Sequence, residues 1–335
     1  MTQRFPSWLA ASLTAIGLSL TATTALASTT LKIANFFPDS HPVNIALREV
    51  FKPAVETGSA GELKVRIYTN GTLGGDERLY NAVRGGTLDI AVIGNIMENE
   101  VDYVGIVQQP FLFTNYNHAA NVLRGDIGTS LVADFRDKLG LEFLGWGVQG
   151  FRVIASNKPI QQMSDFKGLR LRFPGIENMV AIGQALGANV TPLPINEVFG
   201  ALEQKVVDGV ENPYPNLYAA KWHELTHHVL ESNHVFTPNL YVANGKVWDK
   251  LTPEQQKIVR DAIQASTARE WELLVAQESE IKDKLQAENV EIIVPSPAFH
   301  AELQAAVQDS YRRFYTARPG AEAIVEQIKT VATQP

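Results

Sequence analysis

The chain contains no cysteine. That excludes disulfide scaffolds, thiolate zinc sites, iron–sulfur clusters and cysteine nucleophiles. Basic charge is also scarce: 29 lysines and arginines against 36 acids give a net charge of −7 and a pI near 5.6. No Lys/Arg run offsets this, so no nucleic acid is expected as a partner. The phosphate-cradling P-loop and the nucleophile elbow G-x-S-x-G are both missing. Carboxylate pairs occur as in any acidic protein, and without geometry they carry no chemistry. Nothing in the pattern requires an enzyme. What is present is an ordinary soluble composition, 45% hydrophobic and 19% charged, in 335 residues, a length that suits roughly two domains.

The first 27 residues read as an export signal. Arg4 is the only charge before Lys32, an apolar stretch runs from Trp8 to Leu20, and small residues close on Ala25-Leu26-Ala27. A positive start, a short apolar core and an A-x-A end define a cleavable secretory signal. The competing reading, a membrane anchor, suffers from a stretch that is short and broken by Ser12, Thr14, Gly17 and Ser19. Cleavage after Ala27 would remove 27 of 335 residues and leave 308. No later stretch reaches 18 uninterrupted apolar residues. A soluble periplasmic or extracellular protein is expected.

Hydrophobic periodicity then gives one plan twice. Thr30–Asn35 alternates as a strand, and Asp39, Ser40 or His41 can cap a helix reaching about Glu56. Leu63–Tyr68 alternates again, Asp76–Val83 has helical spacing, and Leu88–Ile93 is a nearly continuous apolar strand. The order recurs with a strand at Leu169–Phe173, a helix at Glu177–Leu186, a strand at Asn189–Leu193, a helix at Asn196–Gln204 and a strand at Val206–Glu211. Such alternation predicts two α/β lobes with parallel sheets. The remainder reads mostly as helix, above all Pro253 to about Glu288, which at 1.5 Å per residue would span about 50 Å and could run along both lobes. Ligands of open α/β sheets bind at the carboxyl ends of the strands, which places a site between the lobes.

Arg172 is the first candidate there. In Gly168-Leu-Arg-Leu-Arg-Phe-Pro174, alternation sets Leu169, Leu171 and Phe173 on one face and Arg170 and Arg172 on the other. Arg172 falls at the strand's carboxyl end, where a guanidinium fork matches a carboxylate; a solvated surface arginine is the alternative. Arg152 ends a glycine- and aromatic-rich segment, Gly145 to Arg152, and Asn212 and Asn95 end the last strands of the two units. Simple loop and turn roles stand beside each of these. His223-Glu224-Leu-Thr-His227 matches the zinc motif H-E-x-x-H. Its metzincin extension fails at Leu230 and Asn233, and a solvated helix face is the plainer reading. Gly74-Gly-Asp-Glu77 begins like a cyclase signature, but Arg78 replaces the phenylalanine.

Taken together the chain resembles the periplasmic solute-binding subunit of a TRAP (tripartite ATP-independent periplasmic) transporter. The resemblance covers essentially the whole mature chain. It is carried by Ser164-Asp-Phe-Lys-Gly-Leu-Arg-Leu-Arg-Phe-Pro174, Leu186-Gly-Ala-Asn189, Pro194-Ile-Asn-Glu-Val198, Ala201-Leu-Glu-Gln204 and Val207-Asp-Gly-Val-Glu-Asn-Pro213 in that order, with Gly71-Thr-Leu-Gly-Gly-Asp-Glu-Arg78 before them. It implies a two-lobed periplasmic binding protein fold of the α/β class, with a ligand cleft between βαβαβ-type lobes and a long helix bracing both. Lobe I would comprise residues 28–149 plus 236–277, and lobe II 150–235 plus 278–335 with the C-terminal helices. It further implies that Arg172 pairs with a ligand carboxylate, that Arg152 and Asn212 contact the ligand beside it, and that Glu211 and His234 form a polar cluster behind Arg152. Phe36, Glu77, Asn95, Trp146 and Ile195 match positions that line the cleft. The implied function is capture of a small carboxylate-containing acid, a C4-dicarboxylate or a sugar acid, and its delivery to integral-membrane permease subunits. Aromatic or branched keto acids also fit Phe36, Phe37 and Ile195. The protein would act as a monomer, without a catalytic step, cofactor or metal. The alternatives are a ligand-sensing receptor on the same fold and, remotely, a zinc hydrolase using His223, Glu224 and His227.

Overall fold

The structure is a computed structural model that describes residues 1, 28–101 and 103–334. The segment read as an export signal lies outside the described residues. Among the described residues ten strands form the framework: β1 (Thr29–Ala34), β2 (Leu63–Tyr68), β3 (Ile90–Ile93), β4 (Leu141–Ser156), β5 (Arg170–Phe173), β6 (Asn189–Pro192), β7 (Gly209–Pro213), β8 (His228–Leu230), β9 (Phe236–Asn244) and β10 (Glu291–Ile293). They run in the order β2-β1-β3-β9-β4-β7-β5-β6, with β8 also on β4 and β10 on β8. The two parallel units expected from alternation are present: β1 pairs with β2 and β3, and β5 with β6 and β7.

Two antiparallel strands join these units, and periodicity did not predict them. β4 is 16 residues long and almost wholly buried, and β9 is buried throughout. Strands covered on both faces lose the alternation that marks a half-exposed strand. Glycines at 145, 147 and 150 add a loop-like look, yet they have a packing cause. A Cβ at Gly145 would sit 3.0 Å from Ile263, and one at Gly147 2.6 Å from the Glu270 carboxylate, both on the long helix that crosses the strand. These three glycines also have the spacing G-x-G-x-x-G, but inside a strand they offer no strand-to-helix turn for a phosphate.

β4 is shared. Leu141 to Phe151 pairs with β9, whereas Arg152 to Ser156 pairs with β7 and Ile154 to Ser156 with β8. The changeover falls beside Gly150, whose φ of +114° suits only glycine. This single strand therefore passes from one lobe to the other.

The long helix, Pro253–Ala287, begins at a capping box. Thr252 accepts from the Gln255 amide, Gln255 returns the bond, and Pro253 opens the first turn. Val259 and Ile263 enter one lobe I core cluster, Trp271 and Leu274 the other, and Ile281 and Leu285 a lobe II cluster. The tail departs from the expected boundary. Helix Pro297–Ala306 stays in lobe II through Phe299 and Leu303. Helix Ala321–Lys329, however, returns to lobe I and buries Ala321, Val325 and Ile328 with Val104 and Leu123. That apolar stripe finds its partner there, and His118 Nε2 holds the Ile328 carbonyl at 2.9 Å.

Candidate functional site

A cavity of about 630 Å³ opens between the lobes, at the carboxyl ends of their parallel strands. Lobe I lines it with Phe36 after β1, Gly94 and Asn95 after β3, and Asp76 and Glu77 in the first turn of helix Asp76–Gly85. Lobe II contributes Arg172, Asn212 and Ile195, and the shared strand adds Gln149 and Arg152.

Of the two arginines on the outer face of β5, only one reaches this cavity. Arg170, at the strand's start, is solvated and forks onto Asp208 (Nε–Oδ2 2.9 Å, Nη2–Oδ1 2.6 Å). Arg172 is only 3% exposed, with Nε and Nη2 donating to the Leu193 carbonyl at 2.9 and 2.6 Å. Its Nη1 has no protein partner among the described residues, and with the second Nη2 proton it remains available. Burial brings the guanidinium down to about 10, with Glu211 and Asp76 opposing the shift and Arg152 adding to it. It is charged at neutral pH.

Arg152 is the first residue of β4 on the lobe II side, and it is held from behind. Nε and Nη2 grip the wholly buried Glu211 carboxylate, Nη2 at 2.7 Å from Oε1 and also 2.9 Å from the Glu211 carbonyl. Nη1 donates to Thr237 at 3.3 Å. Burial works against the Glu211 charge, but Arg152 and His234 outweigh it and hold the carboxyl below its usual range. His234 Nε2 lies 3.7 Å from Glu211, and its Nδ1 meets Ser232 at 2.8 Å. Asn212 is fixed by Asn216, which donates to its Oδ1 at 2.6 Å and to Gln149 at 3.2 Å. Asn95 donates to the Val104 carbonyl at 3.0 Å, leaving its Oδ1 without a partner.

Two readings need correction. Trp146 does not line the cavity: it packs on Phe143 in the lobe I core, and its indole N–H donates to the Gly128 carbonyl at 3.2 Å. Its place on β4 turns it inward. The H-E-x-x-H stretch forms no solvated helix. His223 and Glu224 lie on one short turn, Trp222–Glu224, so the two histidines lack the one-face spacing zinc would need. The buried His223 stacks on Tyr218 and pairs with Glu288 at 2.9 Å. Among the described residues no cluster of three or more His, Asp or Glu side chains could hold a metal.

Asp76 was missed. It lines the cavity, and its Oδ1 accepts from the Gly94 amide at 2.9 Å. Burial pushes its carboxyl up to about 6, against the pull of the Gly94 amide, Arg172 and Arg152. The signal was an acidic first helical turn facing a strand end, overshadowed by its exposed neighbour Glu77.

Residues 33–318 match the family model described as bacterial extracellular solute-binding protein, family 7. A Haemophilus influenzae TRAP periplasmic solute-binding protein with bound L-gulonate is similar at 36% identity, over 89% of this chain and 98% of that one, with a TM-score of 0.87. One from Xanthobacter autotrophicus with bound β-D-galacturonate is 29% identical over 90% of this chain and 100% of that one, with a TM-score of 0.85. The 2,3-diketo-L-gulonate-binding periplasmic protein YiaO of Escherichia coli is 28% identical over 299 residues, 88% of this chain and 90% of that one.

Proposed function

The chain belongs to family 7 of the bacterial extracellular solute-binding proteins, the binding subunits of TRAP transporters, and we propose that its ligand is a hydroxylated carboxylic acid held by Arg172. The family captures solutes for transport and catalyses no reaction. The observation that carries the ligand reading is the buried Arg172 fork, half held by the Leu193 carbonyl and half available in the cavity wall. A buried guanidinium without a carboxylate partner favours an anion strongly, because low polarity magnifies the interaction. Arg152 serves beside it, locked by Glu211, and Asn212 adds a polar contact. Sugar acids bound by the relatives above support the hydroxylated class. Cavity-lining Phe36, Glu77, Asn95 and Ile195 complete the walls.

Family members are periplasmic, and this chain reaches that compartment by cleavage after Ala27. Lobes divided at the β4 changeover and near Val235 close over the acid, and the closed monomer docks on the membrane permease subunits. Closure is a hinge equilibrium that the ligand shifts by touching both lobes.

Thermal-shift screening of the purified protein against organic acids tests this. An acid at a hundredfold excess over its Kd adds about 2.7 kcal/mol, or about 5 °C for a chain of this length. Two charge-assisted bonds at about 1.5–3 kcal/mol each imply that Arg172→Ala weakens binding at least about a hundredfold while the protein stays folded. Retained micromolar affinity in that variant refutes the assignment.

A further inference from the structure

The two walls of the cavity differ in what they offer a ligand. Lobe II supplies donors, chiefly Arg172 and Arg152. Lobe I supplies acceptors. Asp76 Oδ1 is engaged by the Gly94 amide, and Oδ2 has no partner among the described residues. Two further lining residues carry oxygens without a donor among the described residues, Asn95 Oδ1 and Gln108 Oε1, although both atoms are buried beneath the wall. The neighbouring Glu77 is a fourth acid or amide position on that wall, and the exposed Arg78, also lining it, has no ion-pair partner among the described residues.

We propose that Asp76 is a specificity-determining residue, accepting a hydrogen bond from a ligand hydroxyl and thereby selecting hydroxylated monocarboxylic acids over dicarboxylates. This rests on the binding role assigned above. An ionised carboxylate is acceptor-only, so it matches a hydroxyl and repels a second ligand carboxylate in the same place. Unmet acceptors of this kind give steep selectivity, because a ligand lacking the hydroxyl leaves a desolvated polar group unpaired. Asp76 is also held in position. It is the first residue of its helix, tied to the end of β3 through Gly94. A Cβ at residue 94 would lie 3.0 Å from Asp76 Oδ2, so glycine there leaves the carboxylate its room. The two guanidiniums across the cleft favour its charged form, and with its carboxyl near 6 it is ionised at neutral pH.

Calorimetric titration at pH 7.5 with L-gulonate and with succinate tests the assignment in wild type, Asp76→Asn and Arg172→Ala. Asn retains an oxygen for the Gly94 amide, so the fold is kept, which a thermal melt checks. Wild type is expected to prefer gulonate. Asp76→Asn should weaken gulonate at least tenfold and strengthen succinate, shrinking the preference by about a hundredfold. A preference unchanged within threefold, with both acids still lost in Arg172→Ala, overturns the role of Asp76 and leaves the binding role standing. A wild-type preference for succinate also overturns it. Failure of wild type to bind any acid overturns both.

Discussion

Replacing Glu211 by Gln probes the cluster that fixes Arg152. Glu211 and Arg152 are both buried, joined by two side-chain bonds and by a third to the Glu211 carbonyl. The amide cannot face both guanidinium nitrogens as an acceptor, and Arg152 is left charged in the interior beside Arg172. Breaking one partner of a buried ion pair costs about 3–5 kcal/mol. At about 2 °C per kcal/mol, the melting temperature should fall by about 6–10 °C. Replacing both partners by apolar residues of similar size, Arg152→Met with Glu211→Leu, removes the stranded charge and should recover at least about 2 kcal/mol, even though acid binding is lost. Acid titration adds a signature. The Glu211 carboxyl is held below its usual 4.5, so its stabilisation is present above that pH and is lost as pH falls through the lowered value. Glu211→Gln should lose this acid limb. Urea unfolding across pH 3–8 measures all three effects. A single variant within 1 kcal/mol of wild type, or a double variant no more stable than the single, would refute the reasoning.

Glu270, on the long helix, accepts from the Val148 amide, Asn239 and Tyr241, and burial pushes it up to about 7. Its contribution is complete below 4.5 and declines by about 3 kcal/mol as pH rises through 7. Glu270→Gln should flatten that part of the urea-midpoint profile, since the Tyr241 hydroxyl can turn to accept; an unchanged slope counts against it. Gly150→Ala forces a Cβ to 2.8 Å from the Tyr116 hydroxyl at a φ of +114°. A loss of about 1–3 kcal/mol is expected, and an unchanged melting temperature would show that the strand junction does not need glycine.

How much was legible in the sequence follows burial. β2 alternates buried and exposed along its first four residues, and its predicted bounds match those observed. The long helix announces its start with Thr252, Pro253 and Gln255 in a capping arrangement. β4 and β9 carry no such mark, because both faces are covered and the signal of period two disappears. The same cause separates the site residues. Arg172 could be placed because β5 is short and its apolar face is plain. Trp146 could not, because on a strand buried on both sides neither face identifies itself as cleft. Asp76 carried no pattern of its own; only the packing of a helix start against the end of β3 sets it in the cavity.

The architecture also divides the work of recognition. Arg152 is locked to Glu211 on the adjacent strand of lobe II, and Arg172 to the Leu193 carbonyl of the same lobe. Both guanidiniums are thus anchored mainly to lobe II, although Arg152 Nη1 also reaches Thr237 on β9. On the proposed reading, a carboxylate bound to them alone would gain less from closure than a ligand that also reaches the opposite wall. On the same proposal, contacts on the opposite wall, made by Asp76 and its neighbours, would form as lobe I approaches. A ligand can shift a hinge equilibrium only by its differential affinity for the two states. It follows that affinity set by the arginines and closure set by the lobe I acceptors are separable quantities. An acid lacking the second set of groups would occupy lobe II without closing the protein over it.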